Sequence, residues 1–185
     1  MKGGNVASAE IAQPYAAALM SLAQSNNMTD PLGDDVRAIL NLLKESSELR
    51  GFLGNPFVED KSKKDVINRI LGDGVNNYLR NFLMLLVDRK RIVVLSEICQ
   101  QYLAQLRQLN QTELAEVTSA VPLTGEQQEA VIQKVIELTG AQRVELETKI
   151  DPELIGGVVI KVGSQVVDAS LKGQLRRLAL RLSGA

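Results

Sequence analysis

Val144–Gly163 reads VELETKIDPELIGGVVIKVG, and the fold turns on how this stretch is read. Val144, Leu146, Thr148 and Ile150 alternate with Glu145, Glu147 and Lys149, the period-two pattern of a half-buried strand with its charges on the wet face. Val158, Ile160 and Val162 alternate in the same way around Val159 and Lys161. Gly163-Ser164 turns the chain into Gln165–Val167, and Asp168 or Ser170 is placed to cap a closing helix with the stripe Leu171, Leu175, Leu178 and Leu182. Between the strands, Gly156-Gly157 resembles a phosphate cradle. A P-loop, however, needs a Lys and a hydroxyl directly after its glycines, and a dinucleotide fingerprint needs three spaced glycines opening a helix. These glycines lead into a strand, so they supply unusual backbone angles at a bend or bulge.

Upstream of this stretch, Glu113–Val121 carries Leu114, Val117 and Val121 among polar residues and suits a strand that Pro122 ends. Thr124 is placed as a helix N-cap with Gln127 at the capping-box position, and Val131, Ile132, Val135, Ile136 and Leu138 carry that helix to Gly140. Residues 111–185 therefore read as strand, helix, two or three strands, helix: a small α+β C-terminal domain. Before Asn110 the apolar residues recur at helical spacing instead. Ile11, Tyr15, Leu19 and Leu22 share one face of a first helix with Pro14 in its first turn, and Val36, Ile39, Leu40 and Leu43 form the stripe of a second helix begun at Asp30-Pro31. Gly51 and Gly54-Asn55-Pro56 imply a short helix, and Lys61–Leu71, Asn77–Arg89 and Ile92–Leu109 give three longer ones. Residues 1–110 are thus expected to form an N-terminal all-α bundle of about six helices, and the chain is α+β overall.

The totals exclude several functions. The 185 residues contain no His and no Trp, and the single Cys99 has no second thiol with which to pair or to share a metal. Neither a catalytic residue set nor a cofactor-binding or metal site is expected; no carboxylate pair is marked as acid and base, and the usual nucleophilic triads lack their His. The longest strictly apolar run, Phe82–Val87, falls far short of the roughly 20 residues a spanning helix needs. Lys2 followed by an apolar segment faintly imitates a signal peptide, but Glu10, Gln13 and Pro14 interrupt it. With a net charge of -1 there is no bulk attraction to nucleic acid or anionic lipid. Two basic clusters stand out, Arg89-Lys90-Arg91 and Lys172, Arg176, Arg177 and Arg181, yet residues 111–185 carry more acids than bases and no aromatic residue. Solvated helix faces account for these clusters better than nucleic-acid binding, which leaves an RNA-binding regulator using the basic closing helix as the alternative reading.

Phe82–Val87 is apolar around its whole circumference and must be covered on more than one side. It is either a helix central to the bundle core or one that turns a side toward a partner's helix. On the first helix a second row, Ala12, Ala16 and Met20, is small and apolar enough to admit another helix closely.

The residues of Val144–Gly163 resemble the signature of the delta subunit family of F-type ATP synthase, equivalent to the oligomycin sensitivity-conferring protein. Val144, Leu146, Ile150, Asp151, Leu154, Gly156, Gly157, Val158, Ile160, Lys161 and Gly163 occupy the positions of that pattern. Pro14–Leu19 resembles the opening helix of the family, Asn81–Ile92 its fifth helix and following turn, and Asp168–Leu175 its closing helix. The resemblance implies a helical domain followed by a small α+β domain and a non-catalytic stator role. It implies two partners: N-terminal segments of alpha subunits on the bundle, and the C-terminal ends of the peripheral-stalk b and b′ subunits on the second domain. Ala12, Ala16, Met20, Tyr78 and Leu85 are the expected exposed groove for an alpha-subunit helix, and Leu171, Leu175, Arg176, Arg177 and Leu178 the expected stalk surface. The opening around Pro14-Tyr15, with no presequence before it, is similar to the cyanobacterial or other bacterial branch. That branch implies a peripheral place on the cytoplasmic face of a plasma or thylakoid membrane.

Overall fold

A computed structural model describes residues 3–72 and 74–183, with side chains over 8–179 apart from position 73. Lys2 and the side chains of Arg181 and Leu182, named above, lie outside the described residues. The chain divides into two compact units, Met1–Leu106 and Arg107–Ala185, against an expected boundary at 110 and 111.

The first unit consists of helices α1 (Gly3–Ser25), α2 (Thr29–Glu45), α3 (Ser47–Gly54), α4 (Asp60–Leu71), α5 (Asn77–Asp88) and α6 (Leu95–Leu109), the last turn of α6 belonging to the second unit. A short 3-10 turn, Ile92–Val94, joins α5 to α6. Capping side chains set two of the helix starts: Ser46 Oγ accepts from the N–H of Leu49, and Asn76 Oδ1 from that of Tyr78. The core contains the stripe Val36, Ile39, Leu40 and Leu43 from α2, Leu79, Leu83, Leu86 and Val87 from α5, and Ile98, Tyr102, Leu103 and Leu106 from α6. Gly33 lets α2 approach α6, since a Cβ there would stand 2.5 Å from Leu106 Cδ2.

Two expectations about α1 are corrected. Pro14 sits in the interior of a 23-residue helix, not in its first turn. The row turned into the core is Ala12, Ala16, Leu19, Met20 and Ala23, whereas Ile11, Tyr15 and Leu22 are only half-buried. Small side chains let the α1 backbone lie close to α2 and the 92–94 turn, on which it packs, and close packing gains more dispersion contacts than a bulkier row would.

The second unit is a four-stranded sheet, β1 (Thr112–Ser119), β2 (Arg143–Ile150), β3 (Val158–Val162) and β4 (Gln165–Asp168), in the order β2-β1-β3-β4. β1 and β2 run parallel, joined through α7 (Gly125–Thr139), while β1–β3 and β3–β4 are antiparallel. Ala115 and Val117, not Leu114 and Val121, point from β1 into the core with Val131, Val135, Ile160 and Val162, so α7 covers one sheet face. The capping box at α7 is present, Thr124 Oγ1 accepting from Gln127 N–H while Gln127 Oε1 accepts from Thr124 N–H. Gly140 ends that helix at φ 69°. Helix α8 (Leu171–Ser183) closes the chain.

Candidate functional site

In the first unit, α1 and α5 both pack on the 92–94 turn. At their other ends the Tyr78 hydroxyl stands 3.3 Å from Asn26 Oδ1, Asn76 N–H donates to Asp35 Oδ2 at 3.0 Å, and the Tyr102 hydroxyl donates to Thr29 O at 3.0 Å. The first two contacts fix the start of α5 against Asn26 in the α1–α2 connection and Asp35 of α2, and the third ties α6 to the start of α2. Tyr78, Phe82 and Leu85 follow one another at four and three residues along α5. Tyr78 and Leu85 are exposed at 42% and 44%, with Phe82 half-buried between them. The expected groove members divide accordingly: Tyr78 and Leu85 are on the surface, while Ala12, Ala16 and Met20 are buried in the core and cannot line an exposed groove. Among the described residues, the larger apolar side chains of α1 that keep some exposure include the half-buried Ile11, Tyr15 and Leu22. The apolar circumference of Phe82–Val87 thus serves two faces, Leu83, Leu86 and Val87 inward and Leu85 outward.

Burial pushes the Cys99 thiol up to about 12, and burial followed by the nearby Asp30 charge raises the Tyr102 phenol to about 12. Hydrogen bonding to Lys90 holds the Asp60 carboxyl below its ordinary range. Among the described residues, no group of three or more His, Cys, Asp or Glu is placed to hold a metal.

In the second unit, Asp168 Oδ1 accepts from the Ser170 hydroxyl at 2.6 Å and from its N–H at 2.9 Å, while Ser170 Oγ caps α8 by accepting from Gly173 N–H at 3.0 Å. Those two donated bonds hold the Asp168 carboxyl below its ordinary range. Gly157, at φ 76°, lets the bend before β3 lie against this cap, for a Cβ would meet Ala169 O at 2.4 Å. The glycine pair is therefore a packing device for α8. On α8, Leu171, Leu175 and Leu178 stand exposed at 46%, 58% and 54%, with Arg176 and Arg177 exposed beside them. All five expected stalk residues thus lie on the surface.

The sequence reading missed a neighbouring groove of about 350 Å³ lined by Val121, Leu123, Ala130, Val131, Ile155 and Gly156 among others. Ile155 and Val121 there are 68% and 65% exposed. The one signal in the sequence is that Ile155 belongs to neither alternating strand.

A bundle of six helices followed by a small four-stranded unit closed by a helix, with apolar side chains exposed on both, is the class of α+β protein these residues define. Residues 11–182 match the family profile "ATP synthase delta (OSCP) subunit". The chain is 62% identical over 180 residues to "ATP synthase subunit delta" of Nostoc punctiforme, covering 97% of this chain and 98% of that one. It is 57% identical over 184 residues to the protein of the same name from Gloeothece citriformis, covering 100% of both. Its fold matches a chain of the Toxoplasma gondii mitochondrial ATP synthase hexamer with a TM-score of 0.69 and 26% identity, over 92% of this chain and 96% of that one. The chain belongs to the ATP synthase delta (OSCP) subunit family. Nothing in these comparisons supports an RNA-binding regulator.

Proposed function

We propose that the chain is a non-catalytic stator connector of a rotary ATP synthase, with a helical domain through residue 110 and an α+β domain from residue 111 each holding a different partner. The bundle receives an amphipathic N-terminal helix of an alpha subunit on the face formed by Tyr78, Phe82 and Leu85 of α5 and Ile11, Tyr15 and Leu22 of α1. Helix α8 receives the C-terminal ends of the b and b′ subunits. While the rotor turns, the catalytic hexamer experiences torque, and a connector that joins it to a fixed stalk holds it still.

The observation that carries this reading is the face with Tyr78 and Leu85 exposed and Phe82 half-buried between them, on a helix whose opposite side is core. A connector needs contacts that persist under load. Desolvated apolar faces suit that need better than rim ion pairs, which contribute about 0 to 1 kcal/mol each. No helix among the described residues is long and apolar enough to cross a membrane. The complex sits peripherally on the cytoplasmic face of a plasma or thylakoid membrane. Adding the purified chain to a catalytic complex stripped of it should restore proton-coupled ATP synthesis, and coupling unchanged by the addition would refute the stator role.

A further inference from the structure

Ile155 is held in a conformation that its side chain disfavours. Asp151 Oδ1 accepts from Glu153 N–H at 3.0 Å and starts a short 3-10 turn, Pro152–Leu154, that drives Leu154 into the core. The chain then reverses in a three-residue turn, with Gly156 N–H donating to Leu154 O at 2.7 Å around Ile155 at φ 65° and ψ -41°. This is a γ-turn with positive φ at its centre, the rare and strained form. A β-branched residue is among the worst choices for that position, where Gly would fit. Its side chain is also 68% exposed, so little burial on the unit's own core offsets the strain. The fold requires the turn, because Leu154 must point in while Gly156 and Gly157 lie against residues 169–171. It does not require isoleucine.

What isoleucine supplies is an apolar branch at the mouth of the groove, facing outward with Val121. The groove adjoins the α8 stripe. Leu171 Cδ1 lies over Gly156, 2.9 Å from where a Cβ would stand, and Gly156 is one of the groove's lining residues. From Leu171 to Leu178 the stripe runs two turns, about 10 Å at the helical rise, and is flanked by Lys172, Arg176 and Arg177. Lys172 pairs with Glu153 and Arg177 reaches Asp168 O, while Arg176 is exposed.

We propose that Ile155 is an anchor of the stalk site, strained in the free protein because it is placed to insert into the apolar face of the incoming helix. The occupant is an amphipathic helix whose apolar face spans the groove and the α8 leucines and whose flank is acidic, the complement of Lys172, Arg176 and Arg177. The inference rests on the stalk reading of α8 given above. It makes fold stability and partner affinity oppose each other at one residue, as they do where strain serves a site.

The test measures two quantities on the full chain, the Tm and the affinity for the purified soluble portion of the cognate b and b′ subunits by calorimetry. Ile155→Gly is expected to raise Tm by about 2 °C, and Ile155→Gly and Ile155→Asn are each expected to weaken binding about tenfold or more. Val121→Ser, on the groove's other exposed apolar position, is expected to weaken binding with Tm little changed. Wild-type binding that both Ile155 variants retain in full, while Leu175→Asp abolishes it, would overturn the anchor and leave the stalk reading standing. An Ile155→Gly protein that loses Tm as well as affinity would also overturn it, since Ile155 would then be structural. Failure of the wild-type chain to bind the b and b′ portion at all would remove both readings.

Discussion

Gly157 occupies a position that only glycine fits, for two separate reasons. Its φ of 76° strains any L side chain, and a Cβ would strike the Ala169 carbonyl oxygen and the Ser170 Cα beneath it. Gly157→Ala should destabilise the second unit by about 1–3 kcal/mol in urea unfolding, and a loss within the error of measurement would refute the packing role. Asp168, close by, makes the same unit sensitive to acid. Its folded pKa lies below the ordinary 3.8, so the stability it lends is complete above that value and is lost as pH falls through the folded pKa. Unfolding followed from pH 6 to pH 2 should show a decline beginning below about 3.8 that Asp168→Asn removes in part. Cys99 gives the opposite expectation. At 3% exposure and with its thiol pushed up to about 12, it should resist alkylation at pH 8 in the native protein and react once the bundle is unfolded. Rapid native labelling would show that α6 opens.

Among the helices, α1 and α5 best separate core from surface. Leu85, 44% exposed, should accept Glu with helicity and melting unchanged, while affinity for an alpha-subunit N-terminal peptide falls about tenfold or more. Equal affinity would remove α5 from the interface. Ala16→Glu, the natural choice from sequence alone, is not a clean probe, because Ala16 has no exposure. A carboxylate placed there should cost about 3 kcal/mol or more and lower helicity, whatever the peptide does. On α8, ending the chain after Ser170 should abolish stalk binding while the alpha peptide still binds, because each unit has its own core. Loss of both would point to unfolding of the whole chain instead.

Two separate cores make a prediction about the whole molecule. The bundle core gathers apolar residues from all six helices and the 92–94 turn, whereas the sheet unit buries a much smaller set around Val117, Val135 and Ile160. Apolar burial scales with core size, so the sheet unit should melt first and calorimetry should resolve two transitions. A single transition with equal calorimetric and van't Hoff enthalpies would mean that the units unfold as one. Much of this organisation was legible in the sequence. The change of period near residue 110 separated helices from strands, the capping box at Thr124 and Gln127 stood as expected, and the glycine pair was read as a bend. The β1 phase was not legible, because Leu114, Val117 and Val121 do not share one pleat face and only the pairing of Ala115 and Val117 with β3 fixed which side is inward.

By itself the sequence determined which segments are helix and which are strand, because hydrophobic period, caps and turn residues act over a few positions and need no distant partner. It also carried the family signature, since those spacings are local too. Only the tertiary structure decided which row of α1 is core. Ile11, Tyr15, Leu19 and Leu22 and the row Ala12, Ala16 and Met20 are both apolar at helical spacing, and the choice between them belongs to how closely α2 and the 92–94 turn approach. The same holds for Ile155. Its strain exists only because Leu154 is buried on one side and Gly157 lies against Ala169 on the other, a constraint closed by residues far apart in the chain.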